Sequence, residues 1–80
     1  MIIVTYPNGT YGTWYICYDD LHYRYRLIDI SKYRILFDEM YHLEELDFVL
    51  TAYVQTGYIL HYKIEIKPDI WGFIFYTYNY

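Results

Sequence analysis

SKYRILFDEMYHLEEL, residues 31–46, is the stretch on which the fold turns. Tyr33, Leu36, Phe37, Met40, Leu43 and Leu46 recur at helical spacing, and Ser31 is a residue type that caps helix N-termini. The spacing predicts one helix over 31–46. The charges at its ends run against it. Lys32 and Arg34 would sit in the first turn and Glu44 and Glu45 in the last, each opposing the helix dipole. A start at Asp38, followed by Glu39, fits the dipole better.

Downstream, residues 48–54 could continue that helix, but β-branched Val49, Thr51 and Val54 favour a strand. Gln55-Thr56-Gly57 reads as a three-residue hairpin loop behind it. Residues 58–66 then alternate. Tyr58, Leu60, Tyr62, Ile64 and Ile66 share one face, and Ile59, His61, Lys63 and Glu65 share the other. Pro68-Asp69 turns the chain into a last strand over 71–78, with Gly72 as a bulge.

Upstream, residues 2–6 form a β-branched strand, and Pro7-Asn8-Gly9 is a strong turn signal. Residues 13–18 pair back as a hairpin with Trp14, Ile16 and Tyr18 on one side. Asp19-Asp20 turns into a third strand over 22–28. There Tyr23, Tyr25 and Leu27 face one way, and His22, Arg24, Arg26 and Ile28 the other. The expectation is an α+β fold, mainly an antiparallel sheet of about five to six strands, with one helix packed on one face. The element order is β-β-β-α-β-β-β in a single small domain.

Eighty residues bury a thin core, and a single cysteine, Cys17, allows no internal disulfide. Tyrosine accounts for 14 residues and aromatics for 25% of the chain, which excludes disorder and suits strands and interfaces. No stretch has the roughly 20 apolar residues of a spanning helix. The start MIIVTY lacks the basic residues of a secretory leader, and Pro7, Asn8 and Gly9 interrupt it. A cytoplasmic protein with no membrane partner is expected.

Catalytic and metal motifs are lacking. His22, His42 and His61 are isolated, Cys17 is alone, and His42-Leu43-Glu44-Glu45 lacks the second histidine of a metal helix. Cys17 in an aromatic strand reads as a core residue. The acid pairs Asp19-Asp20, Asp38-Glu39 and Glu44-Glu45 are adjacent in sequence and point apart. No enzyme activity and no cofactor are expected.

Tyr23, Arg24, Tyr25 and Arg26 have the composition of a single-stranded nucleic-acid platform. Alternation puts rings and arginines on opposite faces, however, and the net charge is −4. The plainer reading has the tyrosines packed inward and the arginines meeting solvent and cross-strand acids, with Glu65 as a candidate partner. Nucleic acid is therefore the alternative ligand rather than the expected one.

Asp38, Glu39, Glu44, Glu45 and Asp47 form an acid run free of basic residues, with Tyr41 inside it. Most such runs are solvated faces. As a functional surface, the run would meet a larger protein with a basic patch, and Tyr41 would anchor it. In size, acidity and Tyr and Ile content the chain is similar to small phage and mobile-element proteins that block host defence nucleases. That likeness is one of composition and covers no motif. The expected function is inhibition or neutralisation of such a protein. A third reading is a structural homo-oligomer. Residues 2–6 and 71–78 carry no charge, so as edge strands they would pair with a second copy.

Overall fold

A computed structural model describes residues 1–65 of the chain. It contains five strands: β1 (Ile2–Thr5), β2 (Tyr11–Asp19), β3 (Arg24–Asp29), β4 (Arg34–Met40) and β5 (His61–Ile64). A 3-10 turn, Ile30–Lys32, links β3 to β4, and helix α1 (Glu45–Gln55) links β4 to β5. All neighbours are antiparallel, in the order β4-β3-β2-β1-β5. The architecture is α+β: one antiparallel sheet with one helix. Among the described residues, no helix is long and apolar enough to cross a membrane.

The β1–β2 hairpin closes as its turn residues require. Gly9 takes φ of 84°, where a side chain would be strained. Asn8 Oδ1 accepts hydrogen bonds from the Thr10 amide and hydroxyl, at 3.0 and 2.6 Å. Register then aligns one face: Ile2 opposite Trp14 and Ile64, Val4 opposite Gly12 and Tyr62, Ile16 opposite Leu27. This face, with Met40 and Ile59, buries against Leu46, Val49 and Leu50 of α1. The opposite face carries Tyr15, Cys17 and Asp19 against Ile28, Arg26 and Arg24.

Four rings lock the end of the helix to the sheet. Tyr6, Trp14, Tyr53 and Tyr58 lie with centroids 5.1–6.5 Å apart. Trp14 Nε1 donates to Tyr6 Oη at 3.0 Å, and Tyr53 Oη donates to the Leu36 carbonyl at 3.1 Å. Burial of the Tyr53 ring, with Tyr58 beside it, raises its hydroxyl pKa above the usual 10.0, while Arg34 opposes that shift.

The expected helix over 31–46 is not formed. Residues 34–40 are strand β4, and the helix begins at Glu45. Two register shifts in the β3–β4 pairing explain the false spacing. They bring Leu36, Phe37 and Met40 all into contact with the core, out of strict alternation. Ser31 caps no α-helix. It donates to Asp29 Oδ1 at 2.6 Å, and Asp29 caps the 3-10 turn.

The expected strand over 48–54 is the body of α1. Leu46, Val49, Leu50 and Tyr53 supply its inward stripe, which outweighs the β-branched residues. Gln55-Thr56-Gly57 ends this helix instead of closing a hairpin. Gly57 takes φ of 76°, and its amide donates to the Val54 carbonyl. Strand β5 starts only at His61, because the Tyr58 and Ile59 amides both wind back to the Tyr53 carbonyl. Ile59 is therefore buried and Leu60 exposed, against the alternation read over 58–66. That alternation holds within β5, where Tyr62 and Ile64 pack on the core and His61 and Lys63 are exposed.

Strand β1 lies between β2 and β5, so residues 2–6 leave no edge for a second copy. The turn at 68–69 and the strand expected over 71–78 lie outside the described residues.

Candidate functional site

The acid run falls on the end of β4, the turn at 41–44 and the first turn of α1. Its members have different jobs. Glu45 Oε1 accepts from the Tyr41 and His42 amides, at 3.1 and 3.2 Å, and so closes the turn into the helix. Asp38 lies 3.6 Å from Arg24 Nη2 on β3. Those two acids are engaged within the fold. Glu39 and Glu44 are exposed, and Tyr41 is 59% exposed.

Helical spacing divides the side chains of α1 between core and solvent. With Leu46, Val49 and Leu50 inward, Glu44, Asp47, Phe48, Thr51 and Gln55 form the outward stripe. They line an open depression of about 530 Å³. Phe48 is 79% exposed, and it also borders a smaller hollow of about 140 Å³ with Phe37, Val49, Ala52 and Tyr53. Burial pushes the Asp47 carboxyl above its ordinary 3.8. Among the described residues no ion pair reaches it. Glu45 and Asp47 sit in the first turn, where the helix dipole favours negative charge.

Sequence reasoning missed Phe48. Reading 48–54 as a strand hid it, whereas the spacing Leu46, Val49, Leu50, Tyr53 would have turned it outward. The structure brings Glu44 and Asp47 together with Phe48. Glu39 and Tyr41 sit on the strand end and turn that lead into the helix.

Tyr23, Arg24, Tyr25 and Arg26 do not form one platform. Tyr23 sits in the β2–β3 turn at φ of 53°, with its ring exposed. Tyr25 packs against the core, its ring 5.1 Å from that of Tyr18. Arg24 and Arg26 lie on the other face and share Asp19. Asp19 Oδ2 is 2.9 Å from Arg26 Nη2, 4.0 Å from Arg24 Nε and 2.8 Å from His22 Nδ1. Its Oδ1 accepts from the Leu21 and His22 amides. The His22 hydrogen bond, assisted by the His22 amide and Arg26, holds the Asp19 carboxyl below 3.8 against the opposing effect of burial. Glu65 is not the partner of these arginines. It follows β5, three strands from β3, and lies 3.5 Å from Lys63.

His42 and His61 lie on the α1 turn and on β5, away from His22. Among the described residues no three His, Cys, Asp or Glu side chains converge as metal ligands would. No family model, curated protein sequence or solved structure matches this chain.

Proposed function

We propose that this protein is a non-enzymatic binding protein that inhibits or neutralises a larger protein by covering a basic surface. The carrying observation is the outward stripe of α1, where Phe48 stands 79% exposed between Glu44 and Asp47. A large ring left in water beside acids suits an anchor with a charged rim. Between Arg34 and Lys63 the chain has no Lys or Arg, and the charged residues that line the depression with Phe48 are Glu44 and Asp47, both acids. Such a field speeds encounter with a basic partner and orients it. Asp47 supports the same reading. It is a partly dehydrated carboxylate with no ion-pair partner among the described residues, and a partner's Lys or Arg would supply one.

Basic stripes are the electrostatic footprint of nucleic-acid-binding proteins. The proposed target class is therefore a nucleic-acid-processing protein, blocked by occupation of its groove. Capture of tagged protein from host lysate, with and without nuclease, tests this. A single basic protein retained after nuclease treatment agrees with the proposal. A partner set that vanishes with nuclease points instead to direct nucleic-acid binding through the β2–β3 end.

A further inference from the structure

A further concavity lies across the sheet from α1, between the 3-10 turn and the face of β2 and β3 that carries Arg26. It encloses about 360 Å³ and is lined by Cys17, Tyr18, Asp19, Arg26, Ile28, Ile30 and Tyr33. That volume lies within the ~300–1,000 Å³ typical of small-ligand sites. Most of the lining is apolar, and the polar groups gather in the Asp19–Arg26 pair.

Those polar groups decide the ligand. Both oxygens of Asp19 already accept hydrogen bonds or ion pairs, from Leu21, His22 and Arg26. Arg26 is different. Among the described residues one of its five donors, on Nη2, meets Asp19 at 2.9 Å, its buried Nε has no hydrogen-bond partner, and the side chain as a whole keeps 27% exposure. The capacity open to a ligand at this end is that of the partly exposed guanidinium, a cationic donor, which suits an anionic acceptor. Tyr33, at φ of 51° where it ends the 3-10 turn, stands 93% exposed at the rim. It offers a ring face for stacking.

We propose that this concavity binds a small molecule with an apolar ring system and one anionic group. The anion meets the Arg26 guanidinium, and the rings lie on Ile28 and Ile30 beside Tyr33. The site is separate from the α1 surface, and neither depends on the other.

The fluorescent probe 8-anilinonaphthalene-1-sulfonate and its uncharged relative N-phenyl-1-naphthylamine test the proposal on the full chain. The expected result is saturable one-to-one binding of both, with the sulfonate roughly tenfold tighter, as one charge-assisted contact implies. Arg26→Met should remove that preference and leave the neutral dye unaffected, since Asp19 keeps His22 and Arg24. Tyr33→Gly relieves a left-handed backbone and so preserves the fold, yet it should weaken both dyes. Near-UV circular dichroism confirms that each variant is native. Unsaturable binding to the wild type, or wild-type affinities for both dyes in a native Tyr33→Gly variant, overturns the proposal.

Discussion

Gly12 is fixed by a close approach rather than by a turn. A Cβ placed there would lie 2.7 Å from the Tyr6 ring and hydroxyl. Tyr6 could give way only by leaving Trp14 Nε1, whose 3.0 Å hydrogen bond ends on that hydroxyl. Gly12→Ala should therefore destabilise the protein by roughly 1–3 kcal/mol, read as a lower urea midpoint. An unchanged midpoint would mean that the four-ring cluster is not fixed. Asp19 makes a prediction in pH. Its native pKa lies below 3.8, so the unfolded chain takes up the proton first as pH falls. The stability it contributes is complete above 3.8 and is lost as pH drops through the lower native value. Asp19→Asn should thus be less stable than wild type at neutral pH, and the gap should close in acid. A gap of equal size in acid would contradict the assigned shift.

The first three strands were legible because their alternation is clean and their turns carry Gly, Asn and Asp. The segment 31–57 was not, for a physical reason. A strand with two bulges puts Leu36, Phe37 and Met40 against one core, and one helical turn would space them the same way. The contrary signal lay in the charges. Glu44 and Glu45 oppose a helix that ends there and favour one that begins there. Gly57 misled in the same manner, since a hairpin and a helix C-terminus both use positive φ. Of the candidate site, the acid run was legible from sequence. The division of its members was not, because it depends on where the helix starts. Two substitutions separate the alternatives. A strand over 48–54 would bury or expose Phe48 and Leu50 alike, whereas α1 buries only Leu50. Leu50→Ala should cost roughly 2–5 kcal/mol, and Phe48→Ala should stay within about 0.5 kcal/mol, by urea denaturation. Glu45→Ala strips two amides of their acceptor and should cost roughly 0.5–2 kcal/mol, while Glu44→Ala should be near neutral. Equal effects at 44 and 45 would contradict the turn closure.

Across the molecule, charge on the described residues separates two surfaces. The arginines of β3 are tied to Asp19 and Asp38, while the acids around Phe48 face no Lys or Arg of their own segment. With a net charge of −4, binding to single-stranded oligonucleotides should be no tighter than the non-specific range of about 10⁻⁴–10⁻⁶ M. A tighter, steeply salt-dependent complex in a filter-binding titration would contradict this. Glu45 is held by its role in the turn, so charge reversal belongs at Glu39 and Glu44, whose exposed side chains make no hydrogen bond or ion pair among the described residues. The decisive experiment compares the association and dissociation kinetics of the nuclease-resistant partner with three folded proteins. These are the wild type, Phe48→Ala, and Glu39→Lys combined with Glu44→Lys. Phe48→Ala should dissociate about thirtyfold faster, an anchor's ~2 kcal/mol. The charge-reversed protein should associate more slowly, with a flattened salt dependence. Wild-type rates in both variants would contradict a binding role for the outward face of α1.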